Sequence, residues 1–551
     1  MTSNDHYTGW SRVESEETRT MIRRASRQMG DLVRSTLGPF GLDKMVVRRM
    51  PDNELRGFVS NDGVAIIEEF EGETDHPIAQ HFITLAEDHE DDYGDGVTTM
   101  FLLASDLLVT AMDLVEQGIH PNDIVEGFSI GAQRTLEHWK ERAIPLTGAD
   151  GKLDHDRLET IAMSGMVNGR TGSWPLDEIA DVVVGAVLRV SDPATRTTRL
   201  DHADNIVVPG GAITDSEVVE GTILPESVVV AERLLPLEGA VLLIDGALES
   251  RSLSHDVNIV ADTNPAIGTF GESKEIVDVI ASTDTVAVVA SNDVDMAIAK
   301  ELAAHGIVLL RNVKASHFEY IARATGAKPY GPISPNTAID PALLGSATIK
   351  FRDTGRDDDW IEFASPPGTN RPAVTLLVRG GTETAAEETE RRISDGKNAL
   401  RAAIKNPLAL PAGGAADVSA AVDVRSLATR FDGREQLAVD AFADTLETIP
   451  KTLASNAGLD PLDTMSTLHN SHDAGHTRAA VSKNGTVVDD VTADGGGLDA
   501  FQIRVSGLIR AVEFVNAFVR IDSMLVDERD PTIDRVLDEP KYQPGEVPDV
   551  E

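Results

Sequence analysis

Two glycine-rich runs near the start of the chain constrain it most. The first is Thr36-Leu37-Gly38-Pro39-Phe40-Gly41 and the second is Gly94-Asp95-Gly96-Val97-Thr98-Thr99. Glycine lets a backbone come close to a phosphate and adopts positive φ without strain. Behind the second run, Met100, Phe101, Leu102, Leu103 and Ala104 predict a helix. Its first N–H groups then form an anion cradle at a helix N-terminus. Asp95, between the two glycines, is a ligand for the Mg²⁺ that accompanies a polyphosphate. The run is not the GxxxxGK[ST] loop, because no lysine follows it. Read alone, the two runs serve equally well as glycine turns that cap helices.

More of the chain joins the pattern. Asn61-Asp62-Gly63-Val64 lies between the two runs. Glu390-Arg391-Arg392-Ile393-Ser394-Asp395 comes far downstream, followed by Pro411-Ala412-Gly413-Gly414-Ala415, Asn456-Ala457-Gly458-Leu459-Asp460-Pro461 and Arg520-Ile521-Asp522. In this order and at these distances the set resembles the group II chaperonins, the thermosome family, from about Thr18 to Leu525. Asp75-His76-Pro77, Ile119-His120-Pro121, Val125-Glu126-Gly127, the segment Ala322 to Ala327 and Val378-Arg379-Gly380-Gly381-Thr382 agree as well. Each motif is weak by itself; the ordered set is specific.

At 551 residues the chain is too long for one core, so two or three domains are expected. It has no cysteine, which excludes a disulfide framework and thiolate metal sites. The start carries no signal-peptide pattern, and no uninterrupted apolar run of about 18 residues is present, so a cytoplasmic protein without a membrane span is expected. The net charge of −42 argues against nucleic-acid binding, which needs a basic footprint.

Residues from about 18 to 145 read as long helices with tight turns, and from about Ile213 the texture changes. Val218, Val219, Ile223, Val228 to Val230 and Val241 to Leu243 predict strands, and Val286 to Val289 and Ile307 to Leu310 read as buried strands paired with helices. After about Leu400 helical periodicity returns and ends with Ile503 to Val519. The expected fold is therefore α+β and multidomain: a mostly helical domain split between the chain's two ends, with an α/β domain inserted. The resemblance implies a split equatorial ATP-binding domain (1–147 and 402–526), an intermediate hinge domain (148–213 and 368–401) and an apical substrate domain (214–367). The acidic, proline-containing segment 527–551 reads as a disordered tail.

Carried over motif by motif, the resemblance implies that Thr36, Leu37, Gly38 and Pro39 line ATP and that Asp95 ligates Mg²⁺. It implies that Gly94, Gly96, Thr98 and Thr99 hold phosphates, that Gly413 and Gly414 pack near the nucleotide, and that Asp499 meets the ribose. Asp62 and Asp395 would position or activate the attacking water. Singly, Asp62 reads as a turn residue, Asp395 as a solvated helix acid and Asp499 as a helix cap.

There are departures. Val97 stands where the family has a third hydroxyl, Phe40 replaces a common lysine while Lys44 is kept, and Ala412 replaces the first of three glycines. Ala500 replaces a proline, and the segment after Met163 lacks the family's Ser/Gly-Lys pair, with Arg170 the nearest cation. Gly396 inside a helix costs about 1 kcal/mol relative to alanine.

Where the family carries a helical protrusion, the run from Ala261 to Gly271 holds a proline and two glycines and reads as a poor helix. Ile267 and Phe270 there are candidate client contacts. His469, His472 and His476 read as members of a polar loop, and Asp357-Asp358-Asp359 as a solvated one. The resulting expectation is an ATPase subunit of a double-ring chaperonin. Its partners would be unfolded proteins and identical or homologous chaperonin subunits. The alternative is a weakly hydrolysing structural subunit of a hetero-oligomeric ring. A small-molecule ATP-dependent enzyme lacks a second substrate motif, and a passive holdase would bind clients without nucleotide.

At low ionic strength so large a charge repels itself and loosens the fold, and molar salt shortens the Debye length to about 3 Å and removes that penalty. The melting temperature of the purified chain therefore rises steeply between dilute buffer and molar KCl. A melting temperature that does not move with KCl would contradict this reading of the charge.

Overall fold

A computed structural model describes residues 10–49, 55–72, 74, 76–167, 176–209, 215–224, 228–230, 235–249, 265–352, 360–366, 373–380, 383–493 and 496–527. Arg170, the 357–359 acid run and the tail from 528 onward lie outside the described residues. The chain divides into two compact units. One comprises residues 1–176 and 394–551, and the other 177–393. The first is thus built from both ends of the chain.

The first unit is organised round the helix Val97–Glu116. Met100, Phe101, Leu102, Leu103, Ala104, Leu107, Leu108 and Ala111 are all buried, so most of this helix lies inside the core and its C-terminal end, at Asp113 and Glu116, reaches solvent. It is the one described helix long and apolar enough to cross a membrane, and here it is a core element instead. The helices Ser15–Arg34, Pro77–Tyr93, Pro121–Arg142, Arg434–Leu446 and Phe501–Phe518 contribute their buried faces to the same core. Aromatic rings knit it together: Phe82 lies 5.1 Å from Phe101 and 4.4 Å from Phe514, centroid to centroid. Buried aromatic pairs of this kind add to their area burial.

Not all of this end of the chain is helical. Lys44–Arg49 and Leu55–Ser60 form an antiparallel hairpin, and Trp10–Val13 pairs antiparallel with Met524–Asp527. A short three-stranded sheet joins Ile144–Pro145, Leu408–Pro411 and Leu498–Ala500. That sheet matters for function, because it sets Pro411 beside Leu498 and Leu410 beside Asp499.

The second unit carries a nine-stranded sheet among the described residues. Its order is Ala203–Pro209, Val374–Gly380, Glu217–Leu224, Trp360–Ala364, Gly345–Arg352, Leu237–Ile244, Thr285–Ala290, Val308–Arg311, Val228–Val230. Leu237–Ile244, Thr285–Ala290 and Val308–Arg311 run parallel. Their apolar runs are explained by burial on both faces. Leu242, Ile244, Val288 and Leu309 point to one core, and Val241, Leu243, Val289 and Val308 to the other. Strands were expected at these positions, and helices Pro265–Ala281 and Met296–Ala304 separate the parallel ones as an α/β pattern requires.

Two expectations differ from what is observed. Residues 265–281 form a helix in spite of Gly268 and Gly271. Pro265 stands at its first position, where a missing N–H costs nothing. Buried Ile276, Val277 and Ile280 anchor the rest, and each such side chain contributes about 1.5–3 kcal/mol. The side chains of Ile267 and Phe270 lie outside the described residues.

His469 and His472 are in a helix, Pro461–Asp473, not a loop. Asp460 caps it by accepting from Leu462 N and Asp463 N, and Met465 and Leu468 bury its inner face. His469 Nε2 lies 2.8 Å from Glu447 Oε1, and His472 Nε2 lies 3.0 Å from the Ala479 carbonyl. His469 ties this helix to the junction before the helix Thr448–Asn456, His472 ties it to the segment before the strand Ala480–Val481, and His476 lies in the loop between.

Gly396 also has a structural cause. A Cβ there would sit 2.8 Å from Met166 Cγ, and one at Gly165 would sit 3.1 Å from Ala399 Cβ. The helices His155–Met166 and Glu383–Lys405 cross at these two glycines. Gly396→Ala is therefore expected to gain little or lose stability in the wild-type chain, despite alanine's propensity advantage of about 1 kcal/mol. With Met166→Ala as background the same change becomes stabilising. Chemical denaturation of all four variants measures the reversal.

Candidate functional site

A cavity of about 240 Å³ lies within the first unit. Every sequence-predicted site residue lines it except Thr36. Leu37, Gly38 and Pro39 come from the first glycine run, Asp62 from the turn before the helix Gly63–Glu68, and Gly94, Asp95, Gly96, Thr98 and Thr99 from the second run. Asp395, Gly413, Gly414 and Asp499 come from the far end of the sequence. Thr36 is buried behind the wall, and its hydroxyl donates to the Val33 carbonyl 2.8 Å away. Asn456 braces the same turn by donating to the carbonyls of Arg34 and Leu37 at 3.1 and 2.9 Å.

Three helices begin at the cavity. Gly96 precedes Val97–Glu116, Gly414 precedes Ala415–Ala428, and Ala500 precedes Phe501–Phe518. None of the three N-cap residues provides a side-chain cap. Each helix start carries positive partial charge, and three together suit a polyanion. Gly96 and Gly414 hold φ of 80° and 83°, the left-handed region that non-glycine residues rarely enter. Close approach matters too: a Cβ on Gly63 would sit 2.4 Å from Thr98 Oγ1, so the Asp62 turn rests directly on the second glycine run. Asp62 Oδ1 accepts from Val64 N at 3.0 Å, which fixes its carboxylate at a helix start.

Opposite charge is scarce. Asp62, Glu90, Asp95, Asp395 and Asp499 face the cavity, whereas Lys483 and Arg504 are the cations among its described lining residues. The carboxylates feel this. Burial, reinforced by Asp499, pushes the Asp95 carboxyl up to about 7, although Gly96 N–H donates to it at 2.7 Å. Burial and the nearby Asp62 push Glu90 up to about 7 as well. Asp499 is raised by burial, with Arg504 opposing.

Arg504 is itself buried. Its guanidinium pairs with Asp417, their side chains being 7% and 2% exposed, and it stacks over the Trp139 ring at 5.4 Å. Its Nε lies 3.8 Å from Asp499 Oδ2, with no hydrogen-bond partner for that buried N–H among the described residues. Burial raises Asp417 to about 6 against the pull of Arg504. The cavity lining also includes the apolar residues Leu37, Pro39, Phe40, Ile449, Leu453 and Val481.

Sequence reasoning missed Glu90, Arg504, Asp417 and Lys483. Glu90 could have been found, since its carbonyl accepts from Gly94 N at 2.7 Å in the C-cap of the preceding helix. Arg504 carries no local sign. Of the departures, Val97 is buried at 2% exposure, and Phe40 packs on Gly485. Lys44 is turned away to the Asp31 carbonyl at 3.1 Å. Ala412 lies against Gly497, whose carbonyl accepts from Ala412 N at 3.2 Å.

The donor set fits a hard divalent cation: a buried carboxyl raised by its surroundings, neighbouring hydroxyls, and further carboxylates within one cavity. A cavity lined by helix starts, hydroxyls and carboxylates together with apolar side chains has the make-up of a nucleotide site. Comparison with known proteins agrees in class. The model of the TCP-1/cpn60 chaperonin family matches residues 29–529. Thermosome subunit alpha of Halobacterium salinarum is 34% identical over 522 residues, 93% of this chain and 89% of that protein. Thermosome subunit beta of Archaeoglobus fulgidus is 34% identical over 528 residues, covering 94% and 93%. Thermosome subunit 1 of Haloferax volcanii is 32% identical over 522 residues, covering 93% and 90%. The chain belongs to the TCP-1/cpn60 chaperonin family and is a chaperonin subunit of the thermosome type that assists protein folding.

The raised carboxyls make a stability prediction. A carboxyl raised in the folded state binds more protons there than in the unfolded chain, so folding stability falls as pH rises from about 4 through about 7. Asp95→Asn removes that loss. In nucleotide-free, metal-free protein, the melting temperature of Asp95→Asn should gain on that of wild type steadily between about pH 4 and pH 8. A constant difference across that range would refute the raised Asp95.

Proposed function

We propose that the chain binds Mg²⁺-ATP in this cavity and hydrolyses it, and that as a subunit of a double ring it uses hydrolysis to close a chamber round unfolded protein in the cytoplasm. One observation carries the reading. Asp62, Asp95, Asp395 and Asp499, spread over more than four hundred residues of sequence, line one cavity at which three helices start. The family match and the word subunit in the names of the relatives support assembly with identical or homologous subunits.

Each residue has a task in this reading. The N–H groups after Gly96, with the Thr98 and Thr99 hydroxyls, donate to phosphate oxygens, and Gly94 and Gly96 let the backbone come near enough. Gly413 and Gly414 do the same from the second helix start. The apolar lining from Leu37 to Phe40 with Leu453 and Val481 receives the base, and Asp499 accepts from a ribose hydroxyl. Thr36 supports the turn from behind and does not touch the nucleotide. Mg²⁺ held by Asp95 would neutralise phosphate charge that the few cations of the cavity leave unbalanced. Asp62 and Asp395 accept the protons of the attacking water and aim its oxygen at the γ-phosphate.

A weakly hydrolysing structural subunit of a mixed ring is the second reading, favoured by buried Val97 where the family has a hydroxyl. Hydrolysis measured in molar KCl on size-checked assemblies separates the two. Wild type should turn over ATP, and Asp95→Ala and Asp395→Ala should each lose at least about a hundredfold in kcat while remaining assembled. Assembly without turnover in the wild type would favour the structural subunit.

A further inference from the structure

Asp395 serves chemistry only if its helix is held in place, and one side chain of that helix touches the metal-binding loop in an unusual way. Asn398 is three residues on from Asp395 in Glu383–Lys405, so the two lie on neighbouring positions of one face. Asn398 Nδ2 donates to the Gly94 carbonyl at 3.2 Å. Its amide also covers the open side of Gly94: a Cβ there would sit 2.1 Å from Nδ2, 2.5 Å from Cγ and 3.1 Å from Cβ of Asn398. Gly94, at φ 64°, is the turn that ends the helix Pro77–Tyr93 and leads into Asp95. One turn further along, Arg401 donates to the Asp92 carbonyl at 3.1 Å. On the opposite side the helix is pressed against His155–Met166 at Gly165 and Gly396. Asn398 is not among the residues that line the cavity.

We propose that Asn398 is a positioning residue that locks the Asp395-bearing helix onto the Gly94–Asp95 turn, so that the water-orienting acid and the metal-binding acid keep a fixed separation. The inference rests on the proposed roles of Asp395 and Asp95. The amide is the only part of Asn398 that meets the turn as a donor, and glycine at 94 is what leaves room for it. The lock therefore has two halves, a hydrogen bond and a steric fit. Asn398 itself does not line the cavity, so its loss should slow the chemical step and spare binding.

The test uses the full-length chain in molar KCl on size-checked assemblies, with kcat and KM for ATP and an ADP-binding isotherm for each variant. Asn398→Ala should lower kcat about fivefold, the worth of one neutral hydrogen bond, and leave KM and ADP affinity within about twofold. Asn398→Asp keeps the shape but cannot donate, and it should be at least as slow. Gly94→Ala should be harmful in the wild-type background and markedly less so with Asn398→Gly, because the space is then free; strict additivity of the two would overturn the steric half. An unchanged kcat in Asn398→Ala and Asn398→Asp, or a fall in affinity that accounts for the whole effect, would overturn the proposal. Asp395→Asn is the control that tells the two readings apart. If it abolishes hydrolysis while the Asn398 variants turn over normally, only the lock is wrong. If it leaves hydrolysis intact, the role of Asp395 fails and the lock with it.

Discussion

The helix Val97–Glu116 buries most of its surface, and the first unit follows from that. A helix this rich in apolar residues must be wrapped, and segments from both ends of the chain supply the wrapping. Its N-terminus cannot be wrapped in the same way, because the first turn of a helix leaves N–H groups that need acceptors. Gly96 provides no side-chain acceptor. The fold thus concentrates apolar surface along the helix and leaves an electropositive opening at its start. The helices starting after Gly414 and Ala500 add two more such openings at the same place. The cavity is the consequence of how the core closes, and the polyphosphate of the proposed function would supply acceptors for these helix starts.

Much of this was legible in the sequence. The glycine runs, the Asp62 turn, the Asp395 segment and the split of a helical domain between the two ends all have local signatures, since glycine and acid spacing records a backbone requirement. What was not legible is what depends on distant partners. Thr36 is a local exception, its hydroxyl turned back to the Val33 carbonyl three residues earlier. Arg504 acquires meaning only from Asp417 and Trp139, 87 residues and several hundred residues away in the chain. Gly396 looked like a defect because propensity is local, whereas the Met166 contact that uses the glycine is not. Residues 265–281 erred the other way: two glycines argued against a helix, and buried Ile276, Val277 and Ile280 outweighed them.

Surface and cavity obey different electrostatic rules. Salt screens charges exposed to solvent, so a net charge of −42 is tolerable in a salty medium. It screens buried groups much less, and Asp95 and Asp417 are pushed well above the ordinary carboxylate range by burial whatever surrounds the molecule. Neutralisation inside must therefore be supplied by fixed or bound charge. Arg504 supplies some of it, held on Trp139 and paired with Asp417 so that it cannot turn out to solvent. Removing it would leave Asp417 as an uncompensated buried carboxyl, which is far more costly than losing a surface pair. Among the described lining residues, Asp62, Glu90, Asp95, Asp395 and Asp499 outnumber Lys483 and Arg504. A site with that imbalance is unfavourable to anions alone and favourable to an anion that arrives with its own cation. In the proposed function, that cation is the Mg²⁺ that travels with the nucleotide.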